Sequence, residues 1–395
     1  MNDKASIASL GTLSSTSRAV IRELLTSGPL PRATLARRLG LSPARLTKVT
    51  RPLLDSAVIY EDATAPNKTP GRPGTPLAVH APRYAFAGFK ITGDTLYGTR
   101  VDAEGRVQRA KSVSLESTDS SHVVDLIIDL VKELGEEQPL QAIGIGSAGT
   151  MRRYDDRVRR NQYLGWDDVP LAEILTAKTG LPTVISGDIR ALTVGVQWSG
   201  PGQGHSDFAV VTIGVGIGLG MVIDDQVHAG THGTAGMIGH TRVSEAGPLC
   251  ELGHRGCASA YLNADSILAA ISVPHGITDL DLDGACRLAD RGDPVAQRVL
   301  SDAGRALGVL IAQVVNVLGL DTVILAGDGL VILEHLSQEL NSALRDHLDP
   351  WGTVPHLETF HSDFDEWARG AAVLSCQWLL VDPPKLLAPS ITHQQ

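Results

Sequence analysis

The stretch FAVVTIGVGIGLGMVI at residues 208–223 decides the fold of this chain. Two apolar runs flank glycines that recur at alternate positions, at Gly214, Gly216, Gly218 and Gly220. The pattern predicts a strand, a turn and a second strand. Because glycine carries no Cβ, the backbone between the strands can approach another group closely.

Strand-like apolar runs recur on both sides of this stretch. They occupy residues 85–91, 95–102, 106–114, 142–145, 184–186, 209–213, 219–223 and 322–326. Long helical patterns at 122–134 and 295–318 alternate with them. Three strands followed by a helix occur from residue 84 and again from residue 208. This duplication predicts an α/β fold with two similar lobes and a ligand-binding cleft.

Composition indicates a globular, reduced and cytoplasmic protein. The 395 residues contain 43% hydrophobic residues, but none of the apolar stretches reaches the roughly 18 unbroken residues of a membrane span. The N-terminal residues lack the apolar core of a signal peptide. Four cysteines in so long a chain do not form a disulfide framework.

The charge is divided unevenly along the chain. Residues 1–80 hold 11 Lys and Arg against 5 Asp and Glu, a net +6, whereas the whole chain carries −10. A basic segment on an acidic body indicates an anion-binding module. Charge alone leaves open a basic face that is merely solvated.

The basic segment reads as a helix-turn-helix. Helical spacing covers residues 17–25, a second helix covers 31–39 and ends at Gly40, and Ser42 can cap a third. We expect the third helix to kink or end near Arg51, because Pro52 removes one helical hydrogen bond. The second member of such a motif enters the major groove of DNA. The predicted DNA-binding residues of this helix are Arg45, Thr47, Lys48 and Arg51.

A hairpin is predicted after the third helix. Residues 58–61 and 77–80 can pair as a wing whose tip contains Gly71-Arg72-Pro73. An extended Gly-Arg-Pro segment with one guanidinium suits a minor groove, which adds Arg72 to the DNA-binding residues. The alternative is an ordinary linker between domains.

A possible metal site follows the glycine-rich stretch. His240 precedes Cys250-Glu-Leu-Gly-His-Arg-Gly-Cys257, and a histidine followed by two thiols in a glycine-punctuated loop is a spacing that zinc could use.

With these residues in view, the chain resembles the ROK family of sugar kinases and of repressors that carry a winged helix-turn-helix. The matching segments are Gly71-Arg72-Pro73, IGIGSAGTM at 143–151, YLGWDDVPL at 163–171, VTIGVGIGLG at 211–220, AGMIGH at 235–240, CELGHRGC at 250–257 and VILAGDG at 323–329. The resemblance implies an actin-like, ribonuclease-H-like body of two lobes, often dimeric or tetrameric. We expect a DNA-binding domain at 1–80, a first lobe at 81–190 completed by a helix at 366–381, and a second lobe with the dimer surface at 191–365.

The phosphate-binding loops depart from the family pattern. Family kinases hold ATP with an early Asp-x-Gly-Gly-Thr-Lys loop, which is replaced here by Lys90-Ile-Thr-Gly-Asp-Thr95. In the second loop Val215 stands where the family has a hydroxyl. Because phosphoryl transfer depends on positioned donors and metal, we expect no ATP binding and no kinase activity.

The sugar site departs as well. The family grips its sugar with an Asn-Asp pair, with a Glu-x-Gly-His, and with a Glu after the last zinc cysteine. The resemblance therefore implies effector-binding residues here at Gly187, Asp188, Met237, His240 and Ser259, of which only Asp188 and His240 keep the family residue. Ordinary glucose-type recognition is not expected.

The zinc ligands are partly kept. The family uses the histidine and three cysteines; His240, Cys250 and Cys257 match, while Leu252 replaces the middle cysteine. A structural zinc normally has four ligands, and His254, Glu251 or water could supply the fourth. A metal-free loop with two thiols is the alternative.

The leading hypothesis is a DNA-binding transcriptional regulator, a repressor of carbohydrate-related genes that binds a double-stranded operator as a dimer or tetramer and senses a sugar or sugar phosphate. The second hypothesis is a ROK-type sugar kinase with an N-terminal extension. The third is a DNA-binding protein that needs no ligand, which the altered sugar site suggests.

Overall fold

The computed structural model describes residues 13–64, 75–149, 151 and 156–381. Contacts divide the chain into two compact units: Met1–Gly204 with Phe364–Gln395 (unit 1), and His205–Asp363 (unit 2). The predicted domain limits at residues 80, 190 and 365 stay predictions, because contact density does not show which segments fold independently. Among the described residues, no helix is long and apolar enough to cross a membrane.

Unit 1 begins with three helices and a two-stranded ribbon, which we call the head. The helices are α1 (Ser15–Ser27), α2 (Arg32–Arg38) and α3 (Pro43–Asp55), and the antiparallel strands are β1 (Ile59–Glu61) and β2 (Leu77–Val79). Their shared core is formed by the apolar residues Val20, Ile21, Leu24, Leu35, Leu46, Leu53 and Leu77. The element order is the one predicted for a helix-turn-helix with a wing.

Helix α3 corrects one expectation. Its N-terminus is capped by Ser42, whose hydroxyl accepts the Arg45 N–H, but the helix continues through Pro52 to Asp55 instead of ending near Arg51. Pro52 removes only the bond to the carbonyl of Lys48, which lies on the exposed side and can be solvated. Continuing for another turn buries Leu53, which is 2% exposed.

A five-stranded sheet forms the centre of unit 1, in the order β5-β4-β3-β6-β9. Its strands are β3 (Ala85–Ile91), β4 (Thr95–Val101), β5 (Val107–Ser114), β6 (Leu140–Ser147) and β9 (Thr183–Gly187). Strand β3 is antiparallel to β4 and parallel to β6, and all seven of its residues are buried. A strand that is apolar throughout is typical of a sheet covered on both faces.

Helices cover this sheet. They are α4 (Ser120–Leu134), α5 (Leu171–Thr179), α6 (Asp188–Ser199) and α12 (Phe364–Leu380), and a small hairpin joins β7 (Val158–Asn161) to β8 (Trp166–Val169). Helix α12 packs on the sheet at backbone distance, since a Cβ on Gly88 or Gly144 would overlap its main chain. The two glycines therefore set the separation of helix and sheet.

Unit 2 repeats the sheet, in the order β12-β11-β10-β13-β14. The strands are β10 (Phe208–Thr212), β11 (Gly218–Ile223), β12 (Gln226–Val227), β13 (Thr322–Ala326) and β14 (His356–Thr359). Strand β10 is antiparallel to β11 and parallel to β13, as β3 is to its own neighbours. This confirms the α/β fold class with a repeated arrangement.

The helices of unit 2 are α7 (Ser259–Leu262), α8 (Ala264–His275), α9 (Leu282–Asp290), α10 (Pro294–Leu318) and α11 (Leu333–His347). The longest, α10, starts at the Asp293 cap with Pro294 in its first turn and ends at Gly319, which has positive φ. Its glycines Gly304 and Gly308 face the main chain of α11. Close packing of these two helices forms the largest part of the unit 2 core.

Candidate functional site

Helix α3 of the head presents one polar face. The side chains of Arg45, Thr47, Lys48 and Arg51 are exposed, whereas Leu46, Thr50 and Leu53 are buried against the rest of the head. The structure therefore brings the four predicted α3 residues onto the solvent side of one helix. Arg72 lies outside the described residues.

The basic residues of the head fall into two groups. Arg32 pairs with Glu61 at 2.7 Å, and Arg38 pairs with Glu23 at 2.5 Å. Within the described part of the chain, Arg45, Lys48 and Arg51 form no ion pair. Helix α3 therefore presents three positive charges without a carboxylate partner among the described residues, while Arg32 and Arg38 of α2 are paired with carboxylates of the head itself.

Arg18 attaches the head to the last helix of unit 1. Its guanidinium is buried and donates a hydrogen bond from Nη1 to the carbonyl of Leu379 in α12, at 2.8 Å. Gln203 adds a second link by donating to the Thr26 carbonyl at 2.9 Å. Because α12 also packs on β3 and β6, these contacts join the head to the central sheet through α12.

Asp188 forms an ion pair with Lys90. The carboxylate begins α6 just after β9, and its Oδ2 accepts from Nζ of Lys90 on β3. Its Oδ1 accepts the Ile189 N–H at 2.8 Å. The two side chains are only 7% and 16% exposed, so the pair is largely buried. Both strands end at the carboxyl edge of the parallel part of the sheet, where α/β proteins usually bind ligands.

The turn at residues 92–95, which stands where the family has its first phosphate-binding loop, is closed by its own hydrogen bonds. The Thr92 hydroxyl accepts the Thr95 N–H at 3.0 Å and contacts the Asp94 carboxylate at 2.8 Å. An anion approaching this hairpin would meet the negative charge of Asp94. Two N–H groups are used within the hairpin: that of Thr92 donates to the Thr95 carbonyl, and that of Thr95 donates to the Thr92 hydroxyl.

The glycine-rich loop of unit 2 is covered by a carboxylate. Gly214 has φ +151°, and a Cβ built there would overlap the side chain of Asp328. The Gly214 carbonyl already accepts the Ala264 N–H at 2.9 Å. The glycines would let a phosphate approach the backbone closely. At Gly214, however, the Asp328 carboxylate lies in that space and would repel a phosphate.

Four potential metal ligands meet in unit 2. One nitrogen or sulfur atom from each of His240, Cys250, His254 and Cys257 lies within 4.8 Å of the others, and Nδ1 of His240 is 3.6 Å from Sγ of Cys250. The 3.6 Å separation suits two ligands placed about 2.0–2.3 Å from one tetrahedral ion. The donor set of two imidazoles and two thiols fits zinc.

A tight turn decides which residue joins this cluster. The Gly253 N–H donates to the Cys250 carbonyl, and the Cys250 N–H donates to the His254 carbonyl, both at 2.8 Å. Leu252 lies in the turn and is 62% exposed. The turn directs the residue that replaces the family's cysteine into solvent and brings His254 beside Cys250.

Residues around the cluster would hold a bound ion in place. Nε2 of His240 lies 3.4 Å from the Glu251 carboxylate, an arrangement that orients a metal-binding imidazole. Glu251 also accepts from the hydroxyl of buried Ser259 at 3.4 Å. Burial raises the pKa of the Cys257 thiol, and the neighbouring Cys250 raises it further. A metal that binds the thiolate must therefore displace a proton.

The predicted effector residues fall into two sets. Gly187 and Asp188 lie in unit 1, where Asp188 pairs with Lys90. His240 and Ser259 lie in unit 2 around Glu251, while Met237 is 60% exposed. Their joint role in one site stays a prediction.

Three contacts of the structure were not predicted from the sequence. The Lys90 partner of Asp188 had a visible signal, since a lysine interrupts the apolar run AFAGFKI. Asp328 and Arg18 gave none, because nothing local marks the carboxylate above Gly214 or the head contact with α12.

The chain is similar in sequence to known proteins of two kinds, repressors and a glucokinase. The sequence profile of the ROK family matches residues 86–377. The DNA-binding transcriptional repressor Mlc of Escherichia coli is 28% identical over 316 residues, covering 75% of this chain and 77% of that protein. The xylose repressor of Bacillus subtilis is 24% identical and covers 82% and 84%. The glucokinase of Thermotoga maritima is 29% identical over 188 residues, covering 47% and 59%.

A solved structure extends the likeness to the head. A ROK family transcriptional regulator, named as a homolog of the E. coli Mlc protein, superimposes with a TM-score of 0.80 and 22% identity. The match covers 95% of this chain and 98% of that one, so the predicted ROK fold is confirmed along nearly the whole length.

Proposed function

Because this chain belongs to the ROK family, we propose that it is a DNA-binding transcriptional repressor of carbohydrate-related genes. The observation that carries the proposal is the face of α3 on which Arg45, Lys48 and Arg51 lie exposed and without an ion pair among the described residues. The named repressors that match most of this chain support it.

The proposed contact uses α3 as the recognition helix in the major groove. Arg45, near the N-terminus of α3, is placed to read a base edge, because the first turns of such a helix approach the bases. Arginine can donate two hydrogen bonds to guanine. Lys48 and Arg51 contribute positive charge towards phosphates, and Thr47 lies between them. We assign Arg72 to the minor groove on the sequence alone.

One head reads only half a site, so we propose that the protein acts as a dimer or higher oligomer with its two heads whole turns of DNA apart. The proposed effector is a carbohydrate derivative bound at Asp188 and Gly187, with Met237, His240 and Ser259 as further proposed contacts. The route from effector to DNA would run along α12, which packs on the sheet that carries Lys90 and holds Arg18 of the head.

The experiment selects DNA sequences bound by the full-length protein from a random pool, then measures affinity for the best one by fluorescence anisotropy. Arg45→Ala should weaken binding about 5- to 150-fold, since one base-reading arginine contributes about 1–3 kcal/mol. Arg38→Ala is the matched control, because Arg38 is already paired with Glu23 and should change affinity little. Equal affinities for wild type and Arg45→Ala would disprove the assignment of α3.

A sugar kinase is the second candidate, favoured by the matching glucokinase. It is the weaker one because Lys90 occupies the carboxylate that would act as base, and because Asp94 and Asp328 place negative charge on both loops. A coupled assay with ATP and a panel of hexoses should show no turnover above background. Turnover that Asp188→Asn abolishes would reverse this ranking.

We also propose that His240, Cys250, His254 and Cys257 hold a structural zinc ion, with His254 in place of the missing cysteine. Zinc bound by two imidazoles and two thiolates would stabilise the loop and would have no catalytic role. Purified protein should contain about one zinc per chain, and His254→Ala should lose it, whereas His232→Ala should not. Cobalt substitution gives a second readout, as its visible spectrum reports tetrahedral thiolate ligation.

A further inference from the structure

Unit 2 exposes a tryptophan and two valines near one turn. Trp351 is 96% exposed, and Val317, in the last turn of α10, is 81% exposed. These are the two highest values among the large hydrophobic residues that the structure describes, and Val354 is exposed as well. Single exposed apolar residues are normal, but a group that contains a tryptophan indicates a surface for interaction.

Hydrogen bonds hold the Trp351 turn at the end of α10. Asn316 donates from its amide to the His347 carbonyl and accepts the Asp349 N–H, both at 2.9 Å. The Asp349 carboxylate in turn accepts the Trp351 N–H at 2.9 Å. A tryptophan on a turn that is already ordered loses little backbone freedom when a partner binds it, and tryptophan is among the residues that contribute most to binding.

Strand β14, which follows this turn, has one open edge. It is the last strand of its sheet, and within the described ranges it pairs with β13 alone. The N–H groups of His356 and Phe360 donate to carbonyls on the β13 side, both at 2.8 Å. Because successive backbone groups of a strand point in opposite directions, those of Leu357 and Thr359 face the open edge. An extended segment can add a strand to such an edge through main-chain hydrogen bonds.

The charges around the turn indicate what kind of segment fits. Residues 345–358 contain three acidic residues, Asp346, Asp349 and Glu358, against one basic residue, Arg345. Residues 81–395 carry a net −16, since the whole chain carries −10 and residues 1–80 carry +6. A second copy that docked body to body would bring acidic residues against acidic residues. Lysine and arginine of a partner would instead be attracted.

We propose that Trp351, Val317, Val354 and the open edge of β14, together called the Trp351 surface, bind an extended basic segment of a partner protein. The segment adds a strand beside β14 and packs an apolar side chain against Trp351. Its lysine or arginine side chains face the acidic residues around the turn. This interaction goes beyond the proposed repressor function and does not depend on it.

The probe is a phage library of random twelve-residue peptides selected on the full-length protein. Selected peptides should carry apolar residues and a net positive charge, and their affinity, measured by fluorescence anisotropy, should fall as salt is added. Trp351→Ser should weaken binding about tenfold or more. Tyr163→Ser removes an exposed aromatic side chain from unit 1 and is the matched control, which should leave the affinity unchanged.

A second pair of variants tests the strand edge. Thr359→Pro removes an N–H that faces the open edge and leaves the donors that face β13, so the sheet of unit 2 should form while the added strand is blocked. We expect this variant to lose peptide binding, whereas Thr359→Val keeps the N–H and should bind as the wild type does. Thermal unfolding of each variant checks that the protein is folded.

Four results would overturn the proposal. They are a selection that enriches no peptide, selected peptides that are acidic, peptides that bind Trp351→Ser as tightly as wild type, and a folded Thr359→Pro protein that binds normally. The first three do not depend on the folding of the proline variant. Sedimentation velocity of the protein alone tests the other occupant: self-association that Trp351→Ser abolishes would assign the Trp351 surface to a second copy and would also overturn the proposal.

Discussion

The two five-stranded sheets have the same strand order and different chemistry at the end of the first strand. In unit 1, Lys90, one residue before the end of β3, pairs with Asp188 in a contact that is largely buried. In unit 2, β10 leads to Gly214, which is covered by the exposed residue Asp328. The comparison teaches that apolar patterning determines the sheet, whereas residues at strand ends can change without altering it.

The largest expected effect concerns the way the unit 1 sheet meets α12. In Gly144→Ala the new Cβ would overlap the carbonyl oxygen of Ala371, and a helix main chain cannot move aside as a side chain can. We expect unfolding free energy to fall by about 3 kcal/mol or more, measured by urea denaturation.

Gly146→Ala is the matched control on the same strand. Its Cβ would meet Ala191, Asp188 and Ala371 at 3.5–3.7 Å, which is ordinary contact. The change should alter the unfolding free energy by less than about 1 kcal/mol. Equal losses for the two variants would show that α12 adjusts and that the backbone contact is not essential to unit 1.

The second prediction compares Asp188 of unit 1 with Asp328 of unit 2, the carboxylates near the strand ends of the two sheets. Lys90→Met leaves Asp188 buried without its cation, so we expect a loss of about 2–3 kcal/mol, and Asp188→Asn on the Lys90→Met background should restore part of it. Asp328→Ala removes an exposed carboxylate and should change stability by less than about 0.5 kcal/mol. A large loss for Asp328→Ala would mean that both sheets depend on a charge at this position.

The sequence predicted an element correctly where the residues that determine it lie within the element itself. The alternating glycines at 214–220, the Ser42 cap and the helical spacing at 295–318 are local, and each predicted element is present. The continuation of α3 past Pro52 was missed, because the burial of Leu53 depends on the rest of the head.

Site residues were predictable singly but not as partners. Asp188 and Lys90 are 98 positions apart, and Arg18 and Leu379 are 361 apart. No periodicity relates such positions, so only the fold shows that the Asp188 carboxylate is already neutralised. His254 could be named as a candidate ligand, but the turn that excludes Leu252 is a property of the backbone.

The smallest effect is expected at a surface pair of unit 2, His275 and Asp293, which contrasts with the buried pair of unit 1. Nδ1 of His275 faces the Ile271 carbonyl and Nε2 faces the Asp293 carboxylate, both at 2.8 Å. Two acceptors can both be satisfied only by imidazolium, which has two N–H donors. The Ile271 carbonyl first, and Asp293 second, raise the pKa of His275 above 6.5. The Ala296 N–H first, and His275 second, lower the pKa of Asp293 below 3.8.

The sign of each shift defines the pH range of stabilisation. The raised pKa of His275 gives stability that is complete below pH 6.5 and is lost as the pH rises through the folded value. The lowered pKa of Asp293 gives stability that is complete above pH 3.8 and is lost as the pH falls through its folded value. The pair should therefore contribute most between these two pH values. Thermal unfolding of wild type and His275→Gln should differ most near about pH 5.5 and should converge as the pH rises through the raised pKa of His275. A difference that stays constant over this range would show that His275 contributes through packing and not through its charge.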